Sequence, residues 1–172
     1  MKADAESLIK RYERMRSDAS SMTALWLEVG RFTLTRKIDA LTQAITRSAN
    51  VSDSFTPYDA AAINSVAVEA VDIHAAGCAS WITPSDSPWF LFQPAREFQG
   101  KEGVESWLSE CTAITQTYLA ASNFYTRVHE LYIDRVVTGT AILTAEASPK
   151  NVLNFRVFDP GSFMIADNDE ME

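Results

Sequence analysis

Histidine and cysteine are scarce in this chain, which holds two of each: His74, His129, Cys78 and Cys111. The cysteines are far from the CxxC spacing of short zinc motifs. We therefore expect two free, buried thiols, which suit a reducing cytoplasm. The histidines stand on different predicted helices, and we expect neither a catalytic nor a metal role for them.

Motifs that mark enzymes are also absent. The six glycines form no phosphate-binding loop, and no serine stands in a G-x-S-x-G turn. Ser85 and Asp86 follow Pro84, so a turn explains them better than a nucleophilic set. Residues 167–172 are acidic but lack the spacing of a calcium loop, and we expect a solvated tail. The sequence predicts no catalytic, cofactor-binding or metal-binding residues and hence no enzyme.

No long apolar run or targeting segment is present. The longest candidate span, residues 60–82, is interrupted by Asp72, His74 and Ser80, although a spanning helix needs about 18 apolar residues in sequence. Residues 1–20 contain no apolar core of a signal peptide. We expect no membrane span and no secretion.

Charge is unevenly distributed along the chain. The first fifty residues carry nine basic and six acidic side chains, a net of +3, which leaves −11 for the remainder because the total is −8. An acidic surface disfavours tight DNA binding, since affinity depends on Lys and Arg that neutralise phosphates. It does not prevent DNA from passing along such a surface without sequence-specific contacts.

Helical periodicity is what the chain does contain. Residues 4–45 predict one long helix or two with a kink, and residues 46–59 predict a polar loop. A second helix is expected after Asp59, which can act as its N-cap. The best pattern follows Gly100 and predicts a single helix of about eight turns, ending at Gly139. The apolar stripes that support these three helices are Leu8, Tyr12, Met15, Ala19, Met22, Trp26, Val29 and Phe32, then Ile63, Val66, Ala70, Ile73, Gly77 and Trp81, then Val104, Trp107, Leu108, Cys111, Ile114, Tyr118, Ala121, Tyr125, Val128 and Tyr132.

Four short segments have strand-like content. Residues 140–145 and 152–158 are rich in β-branched and aromatic residues and are separated by a turn at 149–151. Residues 162–166 predict a third short strand after the turn at 159–161, and residues 89–92 predict another within the proline-rich stretch 83–94. One domain, residues 1–172, follows: an α+β fold with long helices packed on a small, mostly antiparallel sheet.

Four aromatic residues form the only candidate contact set. Trp81, Trp89, Phe90 and Phe92 are grouped around the proline-rich stretch. Large apolar residues are usually core. A subunit or partner contact is the alternative, and on that hypothesis polar substitutions disturb assembly more than folding.

Several stretches, taken in order, resemble the head-to-tail connecting (portal) family of short-tailed phages and related prophages. The first helix with Tyr12, Arg16 and Trp26 is similar to the family's N-terminal helix. AAGCASWITPSDSPWFLF at 75–92 resembles its helix, T-P turn and Trp-Phe segment. Residues 121–124 resemble its Ser-Asn-Phe element, and GTAIL at 139–143 and FDPGSFMIADND at 158–169 resemble its later strand and turn.

The resemblance covers nearly the whole chain and implies the N-terminal, wing-like part of a portal protein, with no counterpart here to the stem, clip and crown. It further implies a homo-oligomeric, typically dodecameric ring at one capsid vertex. Through such a ring DNA is packaged and ejected, and terminase, capsid and tail adaptor proteins are the implied partners. The implied location is the virion, with assembly in the host cytoplasm.

Two other functions remain open at this point. A truncated prophage remnant could act as a helical protein-interaction module that binds a host protein. A small enzyme is the third hypothesis, and it lacks any pair of titratable residues at catalytic spacing.

Overall fold

The protein, represented by a computed structural model, is described for residues 2–34, 37, 65–148 and 152–165. The helices are α1 (Lys2–Asp18), α2 (Ser20–Thr33), α3 (Val66–Ile82), α4 (Val104–Ala121) and α5 (Phe124–Thr138). A short 3-10 turn, Arg96–Phe98, precedes α4. Strands β1 (Ile142–Ser148) and β2 (Val152–Phe158) follow α5. The α+β prediction is confirmed.

The N-terminal helical region is two helices with a break at Ala19. The stretch 17–21 is rich in Ser and Asp, whose side chains compete for backbone hydrogen bonds and lower helix propensity. Backbone bonds from Ala19 N to Met15 O and from Thr23 N to Ala19 O, both 3.0 Å, still cross the break. The predicted kink is therefore confirmed. Helix α2 ends at Thr33, short of the predicted residue 45, because Leu34 leaves the helical conformation with ψ 49°. Residues 38–45, the loop predicted at 46–59 and the Asp59 cap lie outside the described residues.

Helix α5 forms the centre of the core. Its residues Phe124, Val128 and Tyr132, spaced four apart, are buried on one face. Against this face pack Ala75 of α3, Leu119 of α4 and Phe155 of β2. A smaller cluster around Leu34 joins the end of α2 to Ile133 and Val137 on another side of α5. The remaining elements are thus organised around α5.

The predicted eight-turn helix is wrong, because it breaks between α4 and α5. Ser122 is extended, with ψ −176°, and its hydroxyl donates to Leu119 O at 2.7 Å and accepts from Phe124 N at 3.1 Å. Asn123 is held by β2: its amide nitrogen donates to Phe155 O at 2.9 Å, and its amide oxygen accepts from Phe155 N at 2.8 Å. Ser and Asn side chains that bond the backbone end one helix and start the next.

The two strands form an antiparallel hairpin, with Ile142 opposite Phe158 and Ser148 opposite Val152. Gly139 ends α5 in the left-handed region, with φ 77°, and its amide donates to Arg135 O at 2.8 Å. Glycine tolerates this conformation without a steric penalty. Both strands and the helix end at Gly139 confirm the sequence-based predictions.

Two predicted strands are absent from the described residues. Residues 88–95 have no regular secondary structure and pair with no strand, and residues 162–165 are irregular after the confirmed turn at 159–161. In the first case α4 provides partners: Phe92 N donates to Thr112 Oγ1 at 3.1 Å, and Gln116 Nε2 donates to Phe90 O at 3.5 Å. Side chains of a helix therefore replace a neighbouring strand, which sequence pattern alone does not reveal.

Candidate assembly surface

The four predicted contact residues divide into two groups. Trp89 and Phe90 are half-buried and pack against the core, where the Trp89 ring stacks on Phe124 with centroids 6.0 Å apart and planes 2° apart. Trp89 Nε1 also donates to Tyr125 Oη at 3.4 Å. Trp81 at the end of α3 is 89% exposed, and Phe92 is 42% exposed. The exposed pair has the accessibility that a partner contact requires.

The structure joins three of these rings in one row. Phe90 contacts Trp89 edge-on at 4.8 Å between centroids and Phe92 at 5.6 Å. Beside the row is an open groove of about 500 Å³ between the aromatic segment and α4, lined by Pro88–Leu91 and by Ser109, Thr112, Ala113 and Gln116. Leu91, at the groove, is 63% exposed. The row therefore runs from the core to the surface.

Helix α3 buries the face opposite to the predicted stripe. Val71 and Ala75 are buried, whereas Val66, Ile73 and Trp81 of the predicted stripe are 66%, 65% and 89% exposed. The helix is apolar on almost every side, so periodicity does not select the face that meets α5. An exposed apolar face on such a helix indicates a contact beyond the described part of this chain.

Helix α4 is rotated relative to its predicted stripe, of which Val104, Leu108 and Cys111 are half-buried. Thr112 and Leu119 face the core, while Trp107, Ile114 and Tyr118 are 62%, 48% and 45% exposed. Thr112 is satisfied there, since its hydroxyl donates to Leu108 O at 2.8 Å. The stripe Trp107, Ile114, Tyr118 follows steps of seven and four residues and therefore forms one continuous surface. We call it the α4 stripe.

Helix α1 exposes its apolar side as well. Residues 5–14 are all exposed, including Leu8, Ile9 and Tyr12, which lie next to one another on the helix. We call these three residues the α1 stripe. Among the described residues, eight hydrophobic side chains are buried, whereas eighteen large hydrophobic side chains are exposed. Single exposed apolar residues are normal, but contiguous ones mark interaction surfaces.

A buried ionic cluster ties the N-terminal helices to α5. Lys37 Nζ lies 2.9 Å from Oδ2 and 3.1 Å from Oδ1 of Asp134, and 2.8 Å from Oε1 of Glu130. Arg127 Nη1 donates to Glu130 Oε2 at 2.7 Å. The Asp134 side chain is fully buried, while those of Lys37 and Glu130 are about one quarter exposed. Sequence patterns gave no sign of this cluster, because Lys37 and Asp134 are 97 positions apart.

The three charges shift one another's pKa in different directions. Burial disfavours the Lys37 ammonium, but hydrogen bonds to Glu130 and Asp134 outweigh it and raise the Lys37 pKa. Burial also opposes the Glu130 carboxylate, yet bonds from Lys37 and Arg127 lower its pKa. For Asp134 the cost of burying the carboxylate outweighs the hydrogen bond from Lys37, so the pKa of Asp134 is raised. The fully buried member therefore carries most of the desolvation cost of the pair.

The remaining candidate residues form no recognisable chemical site. His74 is exposed on α3 and His129 is half-buried on α5. Cys78 and Cys111 are free thiols, as predicted, but half-buried rather than buried. Within the described ranges no group of three His, Cys, Asp or Glu side chains could hold a metal ion. None of the described helices is both long and apolar enough to cross a membrane.

Comparison with known proteins identifies the family of the chain. The chain matches the family described as "Bacteriophage head to tail connecting protein" over residues 5–171. It belongs to that family. The resemblance noted from the sequence is thereby confirmed, and a family that connects head to tail is a structural family of the phage particle, not an enzyme class.

A more specific relative is a protein of Bordetella phage BPP-1 described as "Probable portal protein". The chain is 24% identical to it over 135 residues, which is 78% of this chain and 23% of the relative. The chain thus spans about a quarter of the length of this curated relative. No solved structure matches the chain.

Proposed function

We propose that the chain is a structural subunit of a phage head-to-tail connector, in which copies form a ring at one capsid vertex. DNA is packaged and ejected through the ring. The observation that carries the proposal is the family match over residues 5–171. The outward-facing apolar stripes of α1, α3 and α4 support it, because a ring subunit must bury surface against neighbouring copies.

The chain corresponds, in this proposal, to the N-terminal, wing-like part of such a protein and forms one domain of it. The chain aligns with 23% of the length of the portal relative, which supports a part of such a protein; the N-terminal position rests on the order of the resembling stretches. In the complete protein we propose a dodecameric ring. Terminase, capsid and tail adaptor proteins are its partners, in the virion and, during assembly, in the host cytoplasm.

The role requires no catalysis. Nucleotide hydrolysis during packaging belongs to a partner, since the sequence has no phosphate-binding loop. The net charge of −8 supports a surface along which DNA passes without sequence-specific contacts, because phosphate groups are repelled rather than bound. Trp81 and Phe92 are the members of the aromatic set that we assign to contacts with subunits or partners.

The experiment is a stop codon early in this gene of the phage or prophage that encodes it, followed by electron microscopy of the particles. We expect heads that lack DNA and tails, and rescue by the gene supplied from a plasmid. A normal yield of tailed, DNA-filled particles contradicts the proposal. In that case, a gene with no terminase or capsid genes beside it favours the prophage remnant that binds a host protein.

A further inference from the structure

One outer edge of the β-hairpin is capped and the other is open. Asn123 caps the outer edge of β2, because its side-chain amide bonds the backbone N and O of Phe155 at 2.8 and 2.9 Å. In the part of the chain that the structure describes, no backbone group outside β2 bonds to β1. Residues 145–147 of β1 are exposed. Strand β1 is therefore an edge strand with no neighbour on its outer side among the described residues.

The register of the hairpin identifies the backbone groups along this open edge. Phe155 stands opposite Ala145, and the N–H and C=O of Phe155 point to Asn123, away from β1. Two opposite residues of this kind form a non-hydrogen-bonded pair, and such pairs recur at every second residue of an antiparallel ladder. The N–H and C=O groups of Leu143, Ala145 and Ala147 therefore point outward from the hairpin.

A second row of outward backbone groups lies in the aromatic segment. Residues 88–95 form the longest described stretch without helix, strand, turn or bend. The carbonyl of Phe90 and the amide of Phe92 both point to side chains of α4. Backbone groups two residues apart that face the same neighbour follow the alternation of a strand. The even-numbered backbone groups of the segment thus face α4, and the odd-numbered ones face away from it.

The groups that face away belong to Trp89, Leu91 and Gln93. Within the described ranges their N–H and C=O groups have no hydrogen-bond partner. Pro88 and Pro94 lack an N–H, but both stand at even positions, so neither removes a donor from the outward side. The segment has the unpaired donors and acceptors that a strand needs to join a sheet edge.

We infer that residues 89–93 of one copy add as an antiparallel strand to the open edge of β1 in the next copy, with Leu91 opposite Ala145. This inference rests on the proposed function and names the surfaces that join neighbouring subunits. The two edges are different parts of the chain, so the contact is head-to-tail. Repetition of a head-to-tail contact gives a closed ring when the rotation closes.

The topology favours a second copy as the source of the strand. Within one copy the segment lies on α4, and α4 packs on β2, so the segment is on the side of the hairpin away from the open edge of β1. Pairing of β1 with β1 of another copy is isologous and joins only two copies. The segment of a neighbouring copy supplies the same hydrogen bonds in a contact that repeats around a ring.

Side chains at the contact are complementary in size and charge. Leu91 is 63% exposed, and it stands opposite the small, exposed Ala145 on one face of the extended sheet. On the other face Glu146 is the charged residue of β1. Residues 88–95 carry no charge, so no like charges oppose one another.

Amide hydrogen exchange of the full chain reports both edges directly. On assembly the amides of Ala145 and Leu91 should exchange at least about tenfold more slowly, because each gains a partner. The amide of Phe155 should be protected before and after assembly, since Asn123 bonds it in one copy. Unchanged exchange at Ala145 and Leu91 in assembled rings overturns the inference. Protection of Ala145 in the unassembled chain shows that one copy covers its own edge, and this result also overturns it.

Proline substitutions remove single outward donors. Ala145→Pro and Leu91→Pro should each raise the protein concentration of half-assembly about tenfold in sedimentation velocity. Ala145→Ser keeps the N–H and is the matched control, which should assemble like wild type. Glu146→Pro removes a donor that faces β2, so it should lower the thermal midpoint more than Ala145→Pro does. Equal assembly of Ala145→Pro and Ala145→Ser refutes the contact.

Cross-linking determines which edges meet. A background of Cys78→Ser and Cys111→Ser removes the native thiols. In it, Ala145→Cys together with Leu91→Cys should give a ladder of dimers, trimers and larger species with a short bifunctional thiol reagent. Ala145→Cys alone should give no product, and a dimer from this variant shows that β1 pairs with β1, which overturns the head-to-tail contact.

These outcomes separate the inference from the proposed function. Rings that form with neither the amide protection nor the cross-linked ladder leave the connector role intact and refute the strand addition. Absence of any assembly of the full chain with phage components contradicts both.

Discussion

Replacing Lys37 by methionine should destabilise the fold strongly. The substitution keeps a side chain of similar length but leaves the fully buried Asp134 carboxylate without the ammonium that lies 2.9 Å away. Removing one partner of a buried ion pair costs about 3–5 kcal/mol. Against a total of ~5–15 kcal/mol for a domain, this is a large fraction.

Urea unfolding followed by circular dichroism measures the loss. With a slope of about 2 kcal/mol per M, the midpoint should fall by roughly 2 M. The double variant Lys37→Met, Asp134→Leu is the control, because it removes both charges and should regain most of the stability. A loss under about 1 kcal/mol in the single variant refutes the assignment of a buried, compensated pair.

The same variant should respond to pH in a defined direction. In the wild type the pKa of Lys37 is raised in the folded state. Its contribution to folding stability is therefore fully present below the pKa of the unfolded chain and is lost as pH rises through the pKa of the folded state. Glu130, with a lowered pKa, contributes above its unfolded pKa and loses this contribution as pH falls through the folded pKa. Asp134 has a raised pKa, so protonation at low pH relieves its burial cost.

Without Lys37 the burial cost of Asp134 is no longer offset, and its pKa rises further. The deficit of Lys37→Met relative to wild type should therefore shrink as pH falls from 8 to 5. Urea midpoints at these two pH values measure it. An equal deficit at both values is inconsistent with a charged, unpaired Asp134 as the cause.

Three further predictions concern single side chains. Asn123→Ala should cost about 1–3 kcal/mol in urea unfolding, because the amide that bonds both backbone groups of a β2 residue is lost; a neutral result contradicts this role. Gly139→Ala should cost about 1–2 kcal/mol of folding stability, since φ is 77° at this position. Gly77→Ala should instead stabilise the fold by about 0.5–1 kcal/mol, because Gly77 lies inside a helix with open space around its Cβ position. Equal effects of the two substitutions refute the claim that the left-handed backbone at Gly139 requires glycine. Trp89→Ser should cost roughly 2 kcal/mol of folding stability. Trp81→Ser should leave folding stability within ~0.5 kcal/mol of wild type and reduce assembly measured by sedimentation. A larger loss of folding stability for Trp81→Ser than for Trp89→Ser contradicts the division of the aromatic set into a core pair and an exposed pair.

Local patterns predicted the elements whose signals are local. The kink at Ala19, the stop at Gly139 and the hairpin of β1 and β2 each follow from a few neighbouring residues: Ser-rich sequence, glycine in the left-handed region, and β-branched runs around a turn. The family could also be inferred from short stretches taken in order. These parts did not require knowledge of tertiary contacts.

Tertiary contacts decided the features that the sequence did not predict. The helix over 104–132 breaks because Asn123 bonds to Phe155, which lies 32 positions away. The segment 89–92 pairs with side chains of α4 instead of a strand. Lys37 and Asp134 meet only because α2 packs against α5. Such pairings depend on the complete fold, and no window of sequence contains both partners.

The faces of α3 and α4 illustrate a different limit. Periodicity correctly identified apolar stripes on both helices, but Ile73 and Trp107 of these stripes are 65% and 62% exposed. A stripe indicates that a face is buried somewhere, not that the chain itself buries it. In a family whose members connect a phage head to its tail, a neighbouring subunit is the expected partner.

Native mass spectrometry of the full chain, combined with electron microscopy, tests the connector assignment most directly. The account predicts a closed ring of one defined stoichiometry, with the apolar stripes of α1, α3 and α4 at the contacts between copies. A monomer that persists at high concentration in the presence of the phage head and tail proteins would contradict it.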